Sequence, residues 1–378
     1  MFESTVKLAD SFLEMGVPGY DLVIYKDGNC VLHHMGGYSD LENKIPVRGD
    51  EKYDIYSCSK PITCTAALQL WEKGLFSLED KLSSYLPEFA EMTVKTENGI
   101  QKAQNPILIR HLFEMTAGFS YNLNSSALLA CREETNHSCP TRQTMVWLAK
   151  EPLEFEPGDQ WRYSLCHDVL AALVEVISGQ RFEDYVKEHI FDPLGMDDTT
   201  FLPSQTVLDS LACKYRFNDD LGKPVRHTAP NVYRLGSKYA SGGAGCVSTV
   251  DDYIKFLEAL RVGDRILKKE TVKLMATDRL TEHQKRTYTV KEERGYGLGV
   301  RTPKEGIAHT EFGWGGAAGA YLAVDIPNGV TIFYVQHLLN APNQGLRDQL
   351  YDLVFAELLG GETAPRKAEI PDGYNYTY

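Results

Sequence analysis

Strand-forming runs stand at both ends of this chain with a long helical stretch between them, and that arrangement restricts the fold more than any other feature. Near the start, DLVIYKDGNCVLHH sets two apolar-rich runs on either side of Asp27-Gly28, a dipeptide suited to a tight hairpin turn. Near the end, AYLAVDIPNGVTIFYVQH does the same around Pro327-Asn328-Gly329. From about Pro61 to Phe201 the period is helical and broken by Pro and Gly, as in TCTAALQLWEKG, IRHLFEMTAG and DVLAALVEVISG. Phe2, Val6, Ala9 and Leu13 mark an N-terminal amphipathic helix, and GLRDQLYDLVFAELLG a C-terminal one. The plan this predicts is α/β (α+β) and discontinuous. Residues 1–73 and 232–360 form the sheet-bearing domain, 74–231 a mostly helical domain, and 361–378 a loosely held tail. The segment 202–240 shows no clear period.

Composition narrows the function classes. Acidic side chains number 52 against 39 basic, a net charge of −13, and no block of lysines or arginines is present. Such a chain is poorly suited to phosphate backbones, so no nucleic-acid partner is expected. No run approaches the ~18 apolar residues of a membrane helix, and the first residues lack the apolar core of a secretory signal. The eight cysteines are scattered without a CxxC pair, which argues against a finger-type zinc site and for free thiols in a reducing cytoplasm. There is also no GxSxG, HExxH, GxxxxGK or GxGxxG, so no metal or cofactor is expected.

What remains is Ser57-Cys58-Ser59-Lys60, between the strand-like run Tyr53–Tyr56 and an apolar helix. A hydroxyl at a helix N-terminus meets free backbone N–H groups and the positive end of the dipole. A spacing of three puts Lys60 one turn on, within reach of Ser57. The tetrapeptide alone fits two readings: a nucleophile with its base, or an ordinary N-cap beside a solvated lysine. A second SxxK, Ser4 to Lys7, lacks the strand-to-helix setting. Two further segments stand out, Pro157-Gly158-Asp159-Gln160-Trp161-Arg162-Tyr163-Ser164 and His309–Gly319, the latter containing Trp314-Gly315-Gly316-Ala317.

In order and spacing, these three segments resemble the serine β-lactamase and penicillin-binding-protein superfamily. Within it they are most similar to the class C-type branch of β-lactamase-related esterases and acyltransferases, the family VIII carboxylesterase type. FSLEDKLSSYLPEF, HLFEMTAGFSY, VEVISGQRFEDYVKEHIFDPLGMDDTTF and SGGAGCVSTVDDYIKF extend the likeness from the N-terminal helix to about residue 360. The resemblance implies a β-lactamase/transpeptidase-like fold, an antiparallel sheet flanked by the terminal helices. It implies Ser57 as acyl-accepting nucleophile, Lys60 and Tyr163 as its proton-handling pair, and the backbone N–H groups of Ser57 and Ala317 as the oxyanion hole. Either a lysine depressed by burial or a lysine cation beside an ionised tyrosine could activate the serine.

The departures bear on substrate. There is no Tyr-x-Asn, and Trp314-Gly315-Gly316 stands where penicillin-recognising relatives carry Lys-Thr-Gly. An indole in place of a cation removes a charge-assisted contact to a substrate carboxylate, typically worth about 1.5–3 kcal/mol, and offers an apolar wall instead. Trp314, Gly315, Gly316 and Tyr121 are therefore the expected substrate-binding residues. Asp168 has two readings, supporting the Tyr163 neighbourhood or capping its helix. Cys58 reads as buried packing, Gly242, Gly243 and Gly245 as a close backbone approach, and His309 and His337 have no assigned role. The expectation is a cytoplasmic serine hydrolase acting on a small-molecule acyl ester through an acyl-enzyme, with acyl transfer open. The alternatives are a β-lactamase or D-amino-acid peptidase, and, from another class, an acylated sensor without turnover.

Overall fold

The two predicted hairpins lie side by side in one sheet. In the computed structural model, which describes residues 1–288, 294–303 and 310–361, six strands follow the order Phe312–Gly315, Tyr321–Asp325, Val330–Gln336, Gly19–Lys26, Asn29–Asp40 and Ile45–Pro46. Every neighbour is antiparallel, and the seam between the chain ends runs from Tyr20 opposite Gln336 to Lys26 opposite Val330. Asp27 and Gly28 both have positive φ, 50° and 83°, as a two-residue type I′ turn requires. At the other hairpin the Asp325 carboxylate accepts from the Asn328 backbone and side-chain amides at 3.1 and 3.0 Å, which closes the loop before Gly329.

Alternation along the strands splits the core into two layers. Leu22, Ile24, Ile332 and Tyr334 face the terminal helices Glu3–Glu14 and Arg347–Leu359, while Val23, Phe333 and Val335 face the Val250–Val262 helix and the helical part beyond it. Tyr253 stacks on Phe333 with centroids 4.4 Å apart, and Phe12 meets Tyr334 edge-on at 6.0 Å. In the N-terminal helix the buried residues are Phe2, Thr5, Ala9 and Phe12, so Val6 and Leu13 are flank rather than centre. Thr5 is drawn inward because its hydroxyl donates to Glu357 of the C-terminal helix.

The helical stretch between the hairpins forms as the period predicts, with Ser59–Glu72 and Cys166–Ser178 packed together at its centre. Cys58 to Leu68 are buried without a break, so the first of these helices has no solvent face along that length. The unassigned stretch 202–240 contains a short helix, Gln205–Asp209, and a hairpin, Tyr215–Asn218 with Lys223–Arg226. Tyr215 and Arg216 pair in parallel with Leu338 and Leu339, a long-range partnership that leaves no local period to read. The tail from residue 362 and His309 lie outside the described residues, and among the described residues no helix is long and apolar enough to cross a membrane.

The N-terminal helix has no side-chain cap of its own, and Glu357 supplies the acceptor: its Oε1 receives the Ser4 N–H at 2.9 Å and its Oε2 the Thr5 N–H at 3.2 Å. Glu357→Ala is expected to lower unfolding free energy by about 1 kcal/mol, read as a lower denaturant midpoint at unchanged slope.

Candidate active site

Ser57 sits on a strained turn that ends a short strand. Tyr53–Asp54 pairs antiparallel with Val247–Ser248, and Tyr56 then takes φ 47°, a left-handed conformation that a large side chain rarely adopts. Surrounding bonds hold it there: Ser59 Oγ donates to Tyr56 O at 2.5 Å and accepts from Cys246 N at 3.0 Å, and the Tyr253 hydroxyl donates to Cys58 O at 2.6 Å. Tyr56–Cys58 forms a single 3₁₀ turn, and Cys58, not Ser57, precedes the first residue of the following helix. Ser57 therefore does not cap the helix. Its hydroxyl stays half-exposed while Cys58 is fully buried, its thiol pushed up to about 12 by loss of solvent.

Lys60 is 0% exposed. Its Nζ donates to Gly243 O at 2.7 Å and to Ser57 Oγ at 3.3 Å, so the helical spacing of three does bring the two side chains together. Burial pulls its pKa down from the ordinary 10.5 to about 7, against the attraction of Asp168, which favours the charged form. The solvated-lysine reading of SxxK fails on this burial. It holds for the other copy, where Ser4 and Lys7 are both exposed on the N-terminal helix.

Tyr163 reaches the same point from the Pro157–Ser164 segment, which is stitched to the loop after the Ile109–Phe113 helix. Arg162 N donates to Met115 O at 2.9 Å, and Gly158 N to Thr116 O at 2.8 Å. Gly118, at φ 89°, lies so close to Phe155 O that a β-carbon would stand 2.5 Å from it. This stitching lays Tyr121 against Tyr163, with ring centroids 5.4 Å apart. The Tyr163 hydroxyl is in hydrogen-bond contact with Ser57, and Lys60 Nζ lies 4.4 Å from its ring centroid. Burial raises the phenol well above its usual range. Trp314 Nε1 donates to the Tyr163 oxygen at 3.3 Å, and the two rings stack at 5.8 Å. Only 6% exposed, Trp314 serves Tyr163 as well as walling the site.

The Trp314-Gly315-Gly316 run ends the edge strand Phe312–Gly315. A β-carbon on Gly316 would lie 2.3 Å from Ile55 O, so the missing side chain lets the Gly316-Ala317 peptide come up against the turn bearing Ser57. Gly316 N to Ala320 O and Gly319 N to Gly316 O close this loop tightly. Tyr233, which the motifs do not single out, adds a further wall, 5.3 Å from Tyr121 and 6.2 Å from Tyr56.

Asp168 does not take the capping role that its place near a helix start suggested. Leu165 is the residue ahead of the Cys166–Ser178 helix, and the Asp168 side chain bonds neither that helix end nor Tyr163. Its Oδ1 accepts from Tyr239 Oη at 3.0 Å and Ser241 Oγ at 2.7 Å. The Ser241–Gly245 stretch, read from sequence as a close backbone approach, is that and more. A β-carbon on Gly242 would lie 2.5 Å from His167 O, while the Gly243 carbonyl is the acceptor for Lys60. The run of small residues Ser241-Gly242-Gly243-Ala244-Gly245 was the available signal for it. His337 is buried away from these groups, its Nδ1 against Ala212 O at 2.9 Å. Among the described residues no cluster of His, Cys, Asp or Glu could hold a metal ion.

Comparison with known proteins bears on the family and the fold. The beta-lactamase family profile matches residues 6–356. Protein Rv1367c of Mycobacterium tuberculosis is 30% identical over 336 residues, covering 80% of this chain and 81% of its own. Esterase EstB of Burkholderia gladioli is 29% identical over 276 residues, 67% of this chain and 68% of its own. Among solved structures, EstCE1, described as a hydrolase with promiscuous acyltransferase activity, superposes with a TM-score of 0.78 at 26% identity, over 93% of this chain and 98% of that one. With its motifs, its antiparallel sheet between terminal helices and a match over almost its whole described length, the chain belongs to the beta-lactamase family, within the serine β-lactamase and penicillin-binding-protein superfamily, and is a hydrolase of that fold.

Proposed function

We propose that the protein cleaves small neutral acyl esters through an acyl-enzyme at Ser57. The observation that carries this reading is the fully buried Lys60 amine beside the Ser57 hydroxyl. A serine hydroxyl needs a neighbouring base at neutral pH, and a lysine brought down to about 7 is neutral in about half of the molecules there. Because the phenol of Tyr163 is pushed upward and its oxygen already accepts from Trp314, Lys60 is the better base and Tyr163 the neutral hydroxyl partner.

In this scheme Ser57 Oγ attacks the ester carbonyl carbon as its proton passes to Lys60 Nζ. The negative charge that develops on the carbonyl oxygen falls to the backbone N–H groups of Ser57 and Ala317. Collapse breaks the bond to the alkoxy oxygen, and the proton held at Lys60 reaches the leaving alcohol, with Tyr163 as the hydroxyl between them. Water then repeats the sequence on the acyl-enzyme, and an alcohol or amine in its place gives acyl transfer. The names of EstB, an esterase, and EstCE1 support this choice of reaction.

Aromatic rings dominate the walls around Ser57: Tyr121, Tyr163, Tyr233 and Trp314. Such walls reward buried acyl surface at roughly 25 cal/mol per Å² and offer no cation to a substrate carboxylate. A neutral p-nitrophenyl ester of short or medium chain is therefore expected to exceed a cephalosporin in kcat/KM. A tenfold preference for the cephalosporin would replace the esterase reading with a β-lactamase one. A stable adduct without turnover would replace it with an acylated sensor.

Ser57→Ala is expected to abolish turnover and the acyl adduct seen by intact mass, with the fold retained; fluorophosphonate labelling that persists in this variant would place the nucleophile elsewhere. The working form of Lys60 is neutral, so kcat/KM should fall about tenfold per pH unit below about 7 and level off above it, the sign expected of a base. Trp314→Phe keeps a ring against Tyr163 but removes the N–H donor. It should lower kcat/KM by up to about tenfold, the equivalent of one hydrogen bond.

A further inference from the structure

We propose that Asp168 is a positioning residue for Lys60: its charge, held across the notch left by Gly243, orients the amine toward Ser57 and sets the pH at which the serine becomes active. This rests on the reading of Lys60 as the base. The carboxylate is 1% exposed and lies in the first turn of a helix whose end it does not cap, so packing alone does not account for a charged group there. Its orientation is fixed from the far side. Ser241 Oγ accepts from Ala244 N at 3.1 Å, which leaves its own proton for Asp168 Oδ1 at 2.7 Å, and the Tyr239 hydroxyl adds a second donor to the same oxygen at 3.0 Å.

The other oxygen, Oδ2, lies against Gly243, whose backbone N–H favours the charged form of the carboxyl. A β-carbon on residue 243 would stand 2.6 Å from Oδ2 and 3.5 Å from Lys60 Nζ, so the two charged groups border one small space, and only glycine leaves it open. The groups facing Lys60 come from five elements. Ser57, Cys58 and Cys64 share its own helical run, Cys166, His167 and Asp168 come from the Cys166–Ser178 helix, Tyr121 and Tyr163 from their two loops, and the Gly243 carbonyl from the Ser241–Gly245 stretch. Burial pushes the three thiols up and His167 down to about 3, so all four are neutral at working pH. Among these neighbours Asp168 is the carboxylate, although burial raises its own pKa. A nearby negative charge favours the lysine cation, which opposes the desolvation that drives Lys60 toward neutrality.

The test is the acid limb of kcat/KM for a neutral p-nitrophenyl ester, measured on the purified protein and on Asp168→Asn, with melting temperature recorded for both. Removing the charge at constant shape is expected to move the limb to lower pH by about one unit or more. A limb that stays at the wild-type position while rate or melting temperature falls would overturn the proposal and leave Asp168 a structural residue. Tyr239→Phe provides a second variant should Asp168→Asn fail to fold. It removes one donor from the carboxylate, which eases its protonation, and should shift the limb the same way by a smaller amount; an unmoved limb again overturns the proposal. Lys60→Ala separates the two readings. If residual activity in that variant keeps the wild-type limb, both the base assignment and the role of Asp168 fall. Loss of the limb in Lys60→Ala with no shift in Asp168→Asn sinks only the latter.

Discussion

A lysine amine with no exposure to water governs the centre of this molecule. Desolvating an ammonium is costly enough that the group must find hydrogen-bond partners or lose its proton, and here both responses are visible. The Gly243 carbonyl and the Ser57 hydroxyl accept from Lys60, and burial holds its pKa near neutrality. Several oddities of the surrounding structure follow from this one requirement. The Ser59–Glu72 helix is buried all round as far as Leu68, a glycine-rich stretch from a distant part of the chain turns a carbonyl inward, and a carboxylate sits where a core helix would ordinarily place an apolar residue.

A strained turn beside that amine is tolerable because the scaffold over-determines it. Tyr56 keeps its left-handed backbone through bonds from Ser59, Cys246 and Tyr253, which lie on three separate pieces of chain. The Gly316 loop then approaches the Ile55 carbonyl more closely than any side chain would allow. Strain and close approach both serve to present one half-exposed hydroxyl between a buried amine and a backbone loop. Aromatic rings stacked from Tyr121 through Tyr163 to Trp314, with Tyr296 edge-on to Trp314, extend the same order outward.

Much of the frame was legible beforehand. The Asp27-Gly28 turn, the hairpin around Gly329 and the terminal helices are encoded by local chemistry, because turn dihedrals and hydrophobic period act over a few residues. The hairpin at Tyr215–Arg226 was not legible, since its pairing partner lies more than a hundred residues away at Leu338 and Leu339. In the N-terminal helix the period was right and the buried face rotated slightly, because Thr5 has a distant carboxylate to meet. At the site, Ser57, Lys60, Tyr163 and Trp314 were readable as motifs, and the structure brings them within contact of one another.

Sequence alone determined that Lys60 would stand three residues after Ser57, that Gly242, Gly243 and Gly245 would permit a close backbone approach, and that no lysine stands at position 314 to greet a carboxylate. Those features depend on spacing and side-chain type, which the chain carries with it. Tertiary structure decided what each group experiences: that Lys60 is dry, that Ser57 is not a helix cap, that Trp314 donates to Tyr163, and that Asp168 looks across Gly243 toward the amine. Solvent exposure and electric field are sums over neighbours drawn from the whole chain, and no local pattern contains them.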